Sequence, residues 1–215
     1  MKNISIALDG PAGAGKSTIA KIIAKYKNLT YIDTGAMYRA IALKILRVGI
    51  NVDQEKSIQD VLESSNIDLE GNDIFLDAQL VIEEIRTPEV NNFVSHVAKI
   101  PLVRMKMVEL QRNIAENKNV IMDGRDIGTF VIPNATYKFY LTASIEERAK
   151  RRFIELRNKG FDTTFEIVKE EIKNRDKMDT EREFAPLRKA EDAIEIDTTG
   201  KSIQNVVDEI LNYLK

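Results

Sequence analysis

The sequence predicts an α/β fold with a parallel sheet. Short apolar runs alternate with helix-periodic stretches from Ile4 to Arg47 and again from Val120 to the C-terminus, the rhythm of strands joined by helical crossovers. The first run ends in a glycine-rich segment that leads directly into a helix pattern, as a buried strand feeding a helix does. At 215 residues and 43% hydrophobic side chains, the chain can build one core with a small insert.

Ile4 to Leu8 form the first strand, closed by Asp9 and Gly10. Ile19, Ile22, Ile23 and Tyr26 stand at i, i+3, i+4 and i+7, which marks a helix from Ser17 to Tyr26. Leu29 to Asp33 reads as the second strand, and the helix from about Ala36 to Arg47 is stopped by Gly49. From about Asn66 to Thr87 the rhythm breaks. Short strands around Ile67, Ile74 to Leu76 and Leu80 to Ile82, punctuated by Gly71-Asn72-Asp73, predict a small antiparallel insert.

Thr87-Pro88-Glu89 opens a helix with a cap, a first-position proline and an acid in the first turn. Val90, Phe93, Val94 and Val97 form its apolar face, and another helix follows Pro101. Val120 to Asp123 and Tyr137 to Thr142 resume the strands. Ser144 with Glu147 is a capping box for a helix reaching about Asn158, ended by Gly160. Thr163 with Glu166 opens the next helix, which reaches about Arg182. Ala193 to Asp197 is the last strand. Ile203, Val206, Val207, Ile210, Leu211 and Leu214 give the C-terminal helix a continuous apolar stripe.

Several function classes fall away. Lysine and arginine number 32 against 34 acids, so a net charge of -2 gives no support for general nucleic-acid or membrane binding. The absence of cysteine excludes disulfides, thiolate metal sites and a cysteine nucleophile. With His96 as the single histidine, a His-based zinc site or a Ser-His-Asp triad is a poor fit, and His96 receives no role. No run approaches the ~18 apolar residues of a membrane helix, and the N-terminus lacks a secretory pattern. The chain reads as a soluble, cytoplasmic protein, and nothing in it demands more than a monomer.

Gly10-Pro11-Ala12-Gly13-Ala14-Gly15-Lys16-Ser17 fills the pattern G-x-x-x-x-G-K-[ST] in full. Glycines let successive backbone N–H groups turn inward around phosphate oxygens. The following helix aims its positive end at the same oxygens. Lys16 supplies a mobile cation for β and γ phosphates, and the Ser17 hydroxyl suits Mg²⁺, which makes Mg-ATP the expected ligand form. Residues Gly10 to Thr18 are therefore the expected triphosphate site.

The loop alone does not separate kinases, switch GTPases and motor ATPases. No Asn-Lys-x-Asp guanine signature is present, and the chain leaves little room for motor machinery. Asp33-Thr34-Gly35-Ala36-Met37-Tyr38-Arg39 and Asp123-Gly124-Arg125-Asp126 each fall at the expected C-terminal end of a strand, where ligands gather in open α/β sheets. Each carries an arginine, which suggests a second anionic ligand facing the triphosphate. Arg175, Asp179 and Arg182 share one helix face and suit a phosphate plus a sugar hydroxyl. Spacing alone favours a solvated face laced with i,i+4 pairs for that set. Two acids and an arginine at the end of an apolar strand are harder to explain without a ligand or metal.

GPAGAGKST, DTGAMYRA, EIRTPEV, DGRDIGT and the Arg175/Asp179/Arg182 spacing resemble, in order and along nearly the whole chain, the bacterial cytidylate kinase family. The resemblance implies a P-loop NTPase three-layer fold with a five-stranded parallel sheet, a small antiparallel insert that binds the monophosphate, and a helical lid. It implies a core of about 1–65, 105–147 and 183–215, an insert of about 66–104 and a lid of about 148–182. The implied reaction is γ-phosphoryl transfer from ATP to CMP or dCMP, in pyrimidine nucleotide metabolism. Ser95, Arg104 and Asp126 would then contact the base, and Arg175 and Asp179 the sugar. Thr34, Arg39, Arg125 and Arg182 would hold the acceptor phosphate, with Tyr38 packed nearby. Position 34 is Thr where some members carry Ser, and the hydroxyl is kept. The insert is short.

The chemistry agrees with that assignment. Cytosine offers an amino group at N4 and acceptors at N3 and O2, which suit a carboxylate and an arginine. Uracil reverses the pattern and leaves buried polar groups unpaired, at about 1–3 kcal/mol each. For catalysis, Lys16, Arg39, Arg125 and Arg182 would align and neutralise the two phosphates, and Asp123 would orient the metal's water shell; as an alternative, Asp123 caps its strand. Arg148, Lys150, Arg151, Arg152, Arg157 and Lys159 stand against Glu155 alone. They read either as a solvated basic helix or as a lid that excludes water from the triphosphate, with Arg151 on ATP. A nucleotide-dependent switch without an acceptor, or a kinase for shikimate or AMP, are the rival readings. An RNA-binding role for the basic helix fits poorly, because aromatics are not interleaved with its charges.

Overall fold

The computed structural model describes residues 3–71, 73–116 and 118–214. Five parallel strands form the central sheet: β1 (Ser5–Asp9), β2 (Thr30–Asp33), β6 (Val120–Gly124), β7 (Tyr137–Thr142) and β8 (Ile194–Asp197). Their order is β2-β6-β1-β7-β8, with β1 in the centre. β1 and β6 are buried almost throughout, as expected for strands covered on both faces.

The helices are α1 (Lys16–Lys27), α2 (Thr34–Val48), α3 (Glu55–Glu63), α4 (Pro88–Ala98), α5 (Pro101–Ala115), α6 (Ile145–Asn158), α7 (Phe165–Glu181) and α8 (Ile203–Leu211). A large core joins β6 to α2, α4 and α5 through Met37, Ile41, Met107 and Met122. A second core packs α1 and α8 on the other side through Ile23, Phe139, Val207 and Ile210. The two cores make the three layers. A third, small cluster of Ala149, Leu156, Val168 and Ile172 holds α6 against α7. Phe153 and Phe165, packed against that cluster, meet edge to face.

The insert is a three-stranded antiparallel sheet of β3 (Ile67–Glu70), β4 (Asp73–Leu76) and β5 (Gln79–Leu80). Its turn residue Asn72 lies outside the described residues. The third strand is shorter than the sequence suggests. Val81 already turns inward, fully buried, and leads to a 3₁₀ turn, Glu84–Arg86.

Most caps fall where the sequence places them. Thr87 and Ser144 each accept the amide three residues on. The start of α7 differs by one residue, because Thr164, not Thr163, accepts the Ile167 amide. Two elements carry weak signals. α3 is short and buries only Ile58, Val61 and Leu62. The segment Ile127–Val131 forms one π-helical turn, in which Val131 N–H donates to Asp126 O and Ile132 N–H to Ile127 O.

Among the described residues, no helix is long and apolar enough to cross a membrane.

Candidate active site

The glycine-rich loop between β1 and α1 rests on β7. A Cβ on Gly10, whose φ is +144°, would lie 2.0 Å from the Leu141 carbonyl oxygen, so only glycine fits. Lys16 opens α1, is buried, and donates its ammonium to the Pro11 carbonyl at 2.7 Å. Burial and the neighbouring Arg125 charge pull its pKa well below the usual lysine range. Gly13, Ser17 and Thr18 stay exposed along the loop and the first turn of α1. Ala14 is buried, and its carbonyl accepts from the Thr198 hydroxyl at 3.3 Å.

The ends of β2 and β6 lie side by side, with Asp33 in register with Asp123. Asp123 is buried, and both carboxylate oxygens are engaged: Ser17 Oγ donates at 2.7 Å and Tyr31 OH at 2.8 Å. Burial, reinforced by the Asp33 charge, raises its pKa. The pairing of Ser17 with Asp123 joins the loop to a strand end 106 residues away. The Thr34 hydroxyl donates to the Asp123 carbonyl at 2.7 Å, so its proton is committed to the backbone and only its lone pairs are free.

Arginines gather beside this junction. Arg39 donates Nε–H to Asn91 at 3.1 Å. Arg125 donates Nε–H to Asp179 at 2.9 Å, with the aspartate held low by Arg125, Arg175 and Arg182 against the effect of burial. Arg175 has a buried Nε without a hydrogen-bond partner. Burial, then the charges of Arg125 and Arg39, draw its pKa down to about 9. Arg152 belongs to the same group, since its charge acts on both Arg39 and Arg175.

Asp126 anchors the other end of the site. Its Oδ2 accepts from Arg104, which is 1% exposed, and its Oδ1 accepts from Arg182 at 3.2 Å. Arg182 also donates Nε–H to the Ala185 carbonyl at 2.6 Å. The Arg104 guanidinium lies 5.5 Å from the Tyr38 ring and 5.9 Å from that of Phe184. Tyr38 OH is buried without a partner. Ser95 is buried on α4. The solvated-face reading of Arg175, Asp179 and Arg182 therefore fails: all three face the core ends of β6 and its following turn.

One sequence expectation is revised. The basic stretch of α6 is not an uncompensated face. Arg151 pairs with Glu147, Arg152 and Lys159 with Glu155, and Arg157 with Asp162. Arg151 is also turned to Thr198, donating to its hydroxyl at 3.0 Å and its carbonyl at 2.7 Å.

Sequence reasoning assigns three residues here no place in the site. Tyr31 supports Asp123. Arg148, buried, donates to the loop carbonyl of Ala12 at 3.1 Å and to Asp176 at 2.6 Å. Asp9 is buried at the end of β1. Its signal, an acid closing an apolar strand, is the same as that of Asp123.

The sheet, the loop after β1 and the arginines at the strand ends define a kinase of the phosphate-loop class. The fold agrees. A shikimate kinase from Acinetobacter baumannii superposes with a TM-score of 0.51 at 14% identity, over 99% of this chain and 93% of that one. A family model described as cytidylate kinase matches residues 6–215. A cytidylate kinase of Clostridioides difficile is 58% identical over 214 residues, covering 100% of this chain and 99% of that protein. One from Bacillus cereus is 52% identical over 217 residues, covering 99% and 96%. The chain belongs to the cytidylate kinase family.

Proposed function

We propose that the protein transfers the γ-phosphoryl group of ATP to CMP or dCMP with the residues assembled above. One observation carries the residue assignment. Among the described residues, Lys16, Arg39 and Arg175 have no carboxylate partner, and Arg175 Nε is buried and unbonded. A buried lysine and half-buried arginines of this kind call for anions, and two facing phosphates supply them.

In this reading Gly10 to Thr18 cradle the ATP phosphates, and Lys16 leaves the Pro11 carbonyl for the β and γ oxygens. Arg39, Arg125 and Arg182 hold the acceptor phosphate, with Thr34 lone pairs and the Tyr38 ring beside it. Arg175 and Asp179 take the sugar, and Ser95, Arg104 and Asp126 the base. Residues 66–104 form the acceptor insert and 148–182 the lid, and the protein works as a cytoplasmic monomer. Ser17 Oγ and the Asp123 carboxylate, 2.7 Å apart, are hard oxygen donors at one point and fit Mg²⁺, with Ser17 as ligand and Asp123 orienting its waters. When bound, the ion neutralises phosphate charge. The chain's own residues align the two phosphates and exclude water.

ADP release with Mg-ATP against CMP, dCMP, UMP, AMP, shikimate and no acceptor tests the reading. Activity confined mainly to CMP and dCMP is expected. Strong activity with another acceptor, or ADP release without one, overturns it. Asp126→Asn places an amide where cytosine N4 needs an acceptor, so the CMP-over-UMP ratio of kcat/KM should fall by about tenfold or more. An unchanged ratio removes Asp126 as base reader. Replacing Arg151 and Arg152 together with Ala should lower kcat by about a hundredfold and weaken CMP binding far less, because both arginines belong to the lid over the triphosphate. Turnover at the wild-type level would restore the solvated-helix reading.

A further inference from the structure

Asp9 ends β1, and the phosphate loop begins at the next residue. Its carboxylate is 4% exposed, yet both of its hydrogen bonds go to backbone rather than to a cation. Oδ1 accepts from the Ile127 amide at 2.9 Å, and Oδ2 from the Gly128 amide at 2.7 Å. These two amides open the π-helical turn immediately after Asp126. The approach is close. A Cβ on Gly128 would lie 3.4 Å from Asp9 Oδ2, 3.4 Å from Ala7 Cβ and 3.2 Å from Lys138 Cδ.

The sheet itself does not ask for a charge at this position. In register, Asp9 stands between Gly124 and Tyr140. Burial pushes its pKa up to about 6 even though both amides pull it down, so the ionised group is held at a cost to the fold. Two charge-assisted bonds onto consecutive amides are the gain, and they stiffen one short piece of backbone. That piece carries Asp126, whose two oxygens lie between Arg104 and Arg182.

We propose that Asp9 is a positioning residue for pyrimidine recognition: it grips the Ile127 and Gly128 amides and so fixes the backbone from which Asp126 is aimed at the acceptor base. The proposal rests on Asp126 reading the base, as given above. Both Asp9 oxygens are committed to backbone amides, so its removal acts on selectivity through a displaced neighbour. It also makes the last residue of β1 serve both halves of the site, since its own carbonyl side continues into the triphosphate loop.

Steady-state kinetics of Asp9→Asn with CMP, UMP and ATP test this. An amide side chain turns its NH₂ toward one of the two N–H donors, so one bond is lost and the turn shifts. KM for CMP should rise about tenfold and the CMP-over-UMP ratio of kcat/KM should fall about tenfold, with KM for ATP within about twofold of wild type. Gly128→Ala disturbs the same contact from the opposite side, leaves the carboxylate in place, and should move the same quantities in the same direction by a smaller factor. It carries the test if Asp9→Asn does not fold. Equal changes in KM for CMP and ATP, or a CMP-over-UMP ratio unchanged in a wild-type-selective background, overturn the proposal. A wild-type protein that does not prefer CMP overturns the underlying reading and this inference with it.

Discussion

Lys16→Met lowers turnover about a thousandfold and leaves the protein at least as resistant to heat as wild type. The first half follows from geometry. Lys16 is the cation at the mouth of the loop, and removing a preorganised charge from a phosphoryl-transfer site costs on the order of 10²–10³ in rate. The second half follows from burial. Lys16 is 5% exposed, is held by a single neutral carbonyl at 2.7 Å, and has its pKa driven down by burial and by Arg125. A methionine of similar length keeps the packing and removes an ammonium that the folded state strains to keep charged. Single-turnover assays with Mg-ATP and CMP, together with a thermal melt, check both halves. Turnover within tenfold of wild type would mean that the loop lysine is not on the transferred phosphoryl.

Arg104→Met is expected to be the most damaging of the proposed substitutions to the fold. Arg104 is a fully buried arginine, stacked near Tyr38 and Phe184 and bonded to Asp126 and to the Ala98 carbonyl. Removing one partner of a buried pair leaves an uncompensated charge, at about 3–5 kcal/mol. Arg182 still holds Asp126 Oδ1 at 3.2 Å, so the low end, about 3 kcal/mol, is expected. For a chain of this size that is a fall in Tm of about 9 °C. Calorimetry of the two proteins without nucleotide decides it, and an unchanged Tm would show that the pair adds no net stability. The contrast with Lys16 is instructive. Both are buried cations at one site, but only Arg104 has a carboxylate that its loss would orphan.

The fold was legible where periodicity and caps coincided. The Thr87 and Ser144 caps and the Val206/Val207/Ile210 stripe stand in the structure where the sequence sets them, whereas in α1 only Ile19 and Ile23 of the expected face are buried: Ile22 and Tyr26 are exposed and Ala20 and Ala24 take their place against the sheet. α3 was not legible, because nine residues with three buried positions give too short a pattern to separate from a loop. The π-helical turn was not legible either: its first two amides are held by the carboxylate of Asp9, which lies 118 positions from Ile127.

The same division runs through the site. The phosphate loop and DGRDIGT are local and readable, but the partners that orient them are distant in sequence. Tyr31 meets Asp123 only because β2 and β6 pair, and Arg148 meets Ala12 only because α6 starts beside the loop. The charges of α6 were misread for the opposite reason. Their acids are close in sequence, but Glu147 and Asp162 flank the basic run from Arg148 to Lys159 rather than falling within it.

The position of β1 at the middle of the sheet has a consequence for how the protein is made. β1 precedes both of its neighbours in the chain, bonding on one side to β6 and on the other to β7. Neither neighbour exists until more than half of the chain has been synthesised. Such distant pairing is slow, because the loop must close before any contact rewards it. The first nucleotide-binding motif to be translated is thus among the last to take shape: Gly10 needs Leu141 to rest on, and Ala12 needs Arg148. Until then the apolar segment Ile4–Leu8 is an unpaired strand edge, the kind of segment that chaperones shield on nascent chains. Nucleotide added during refolding should therefore act late, by trapping the finished sheet rather than by seeding it.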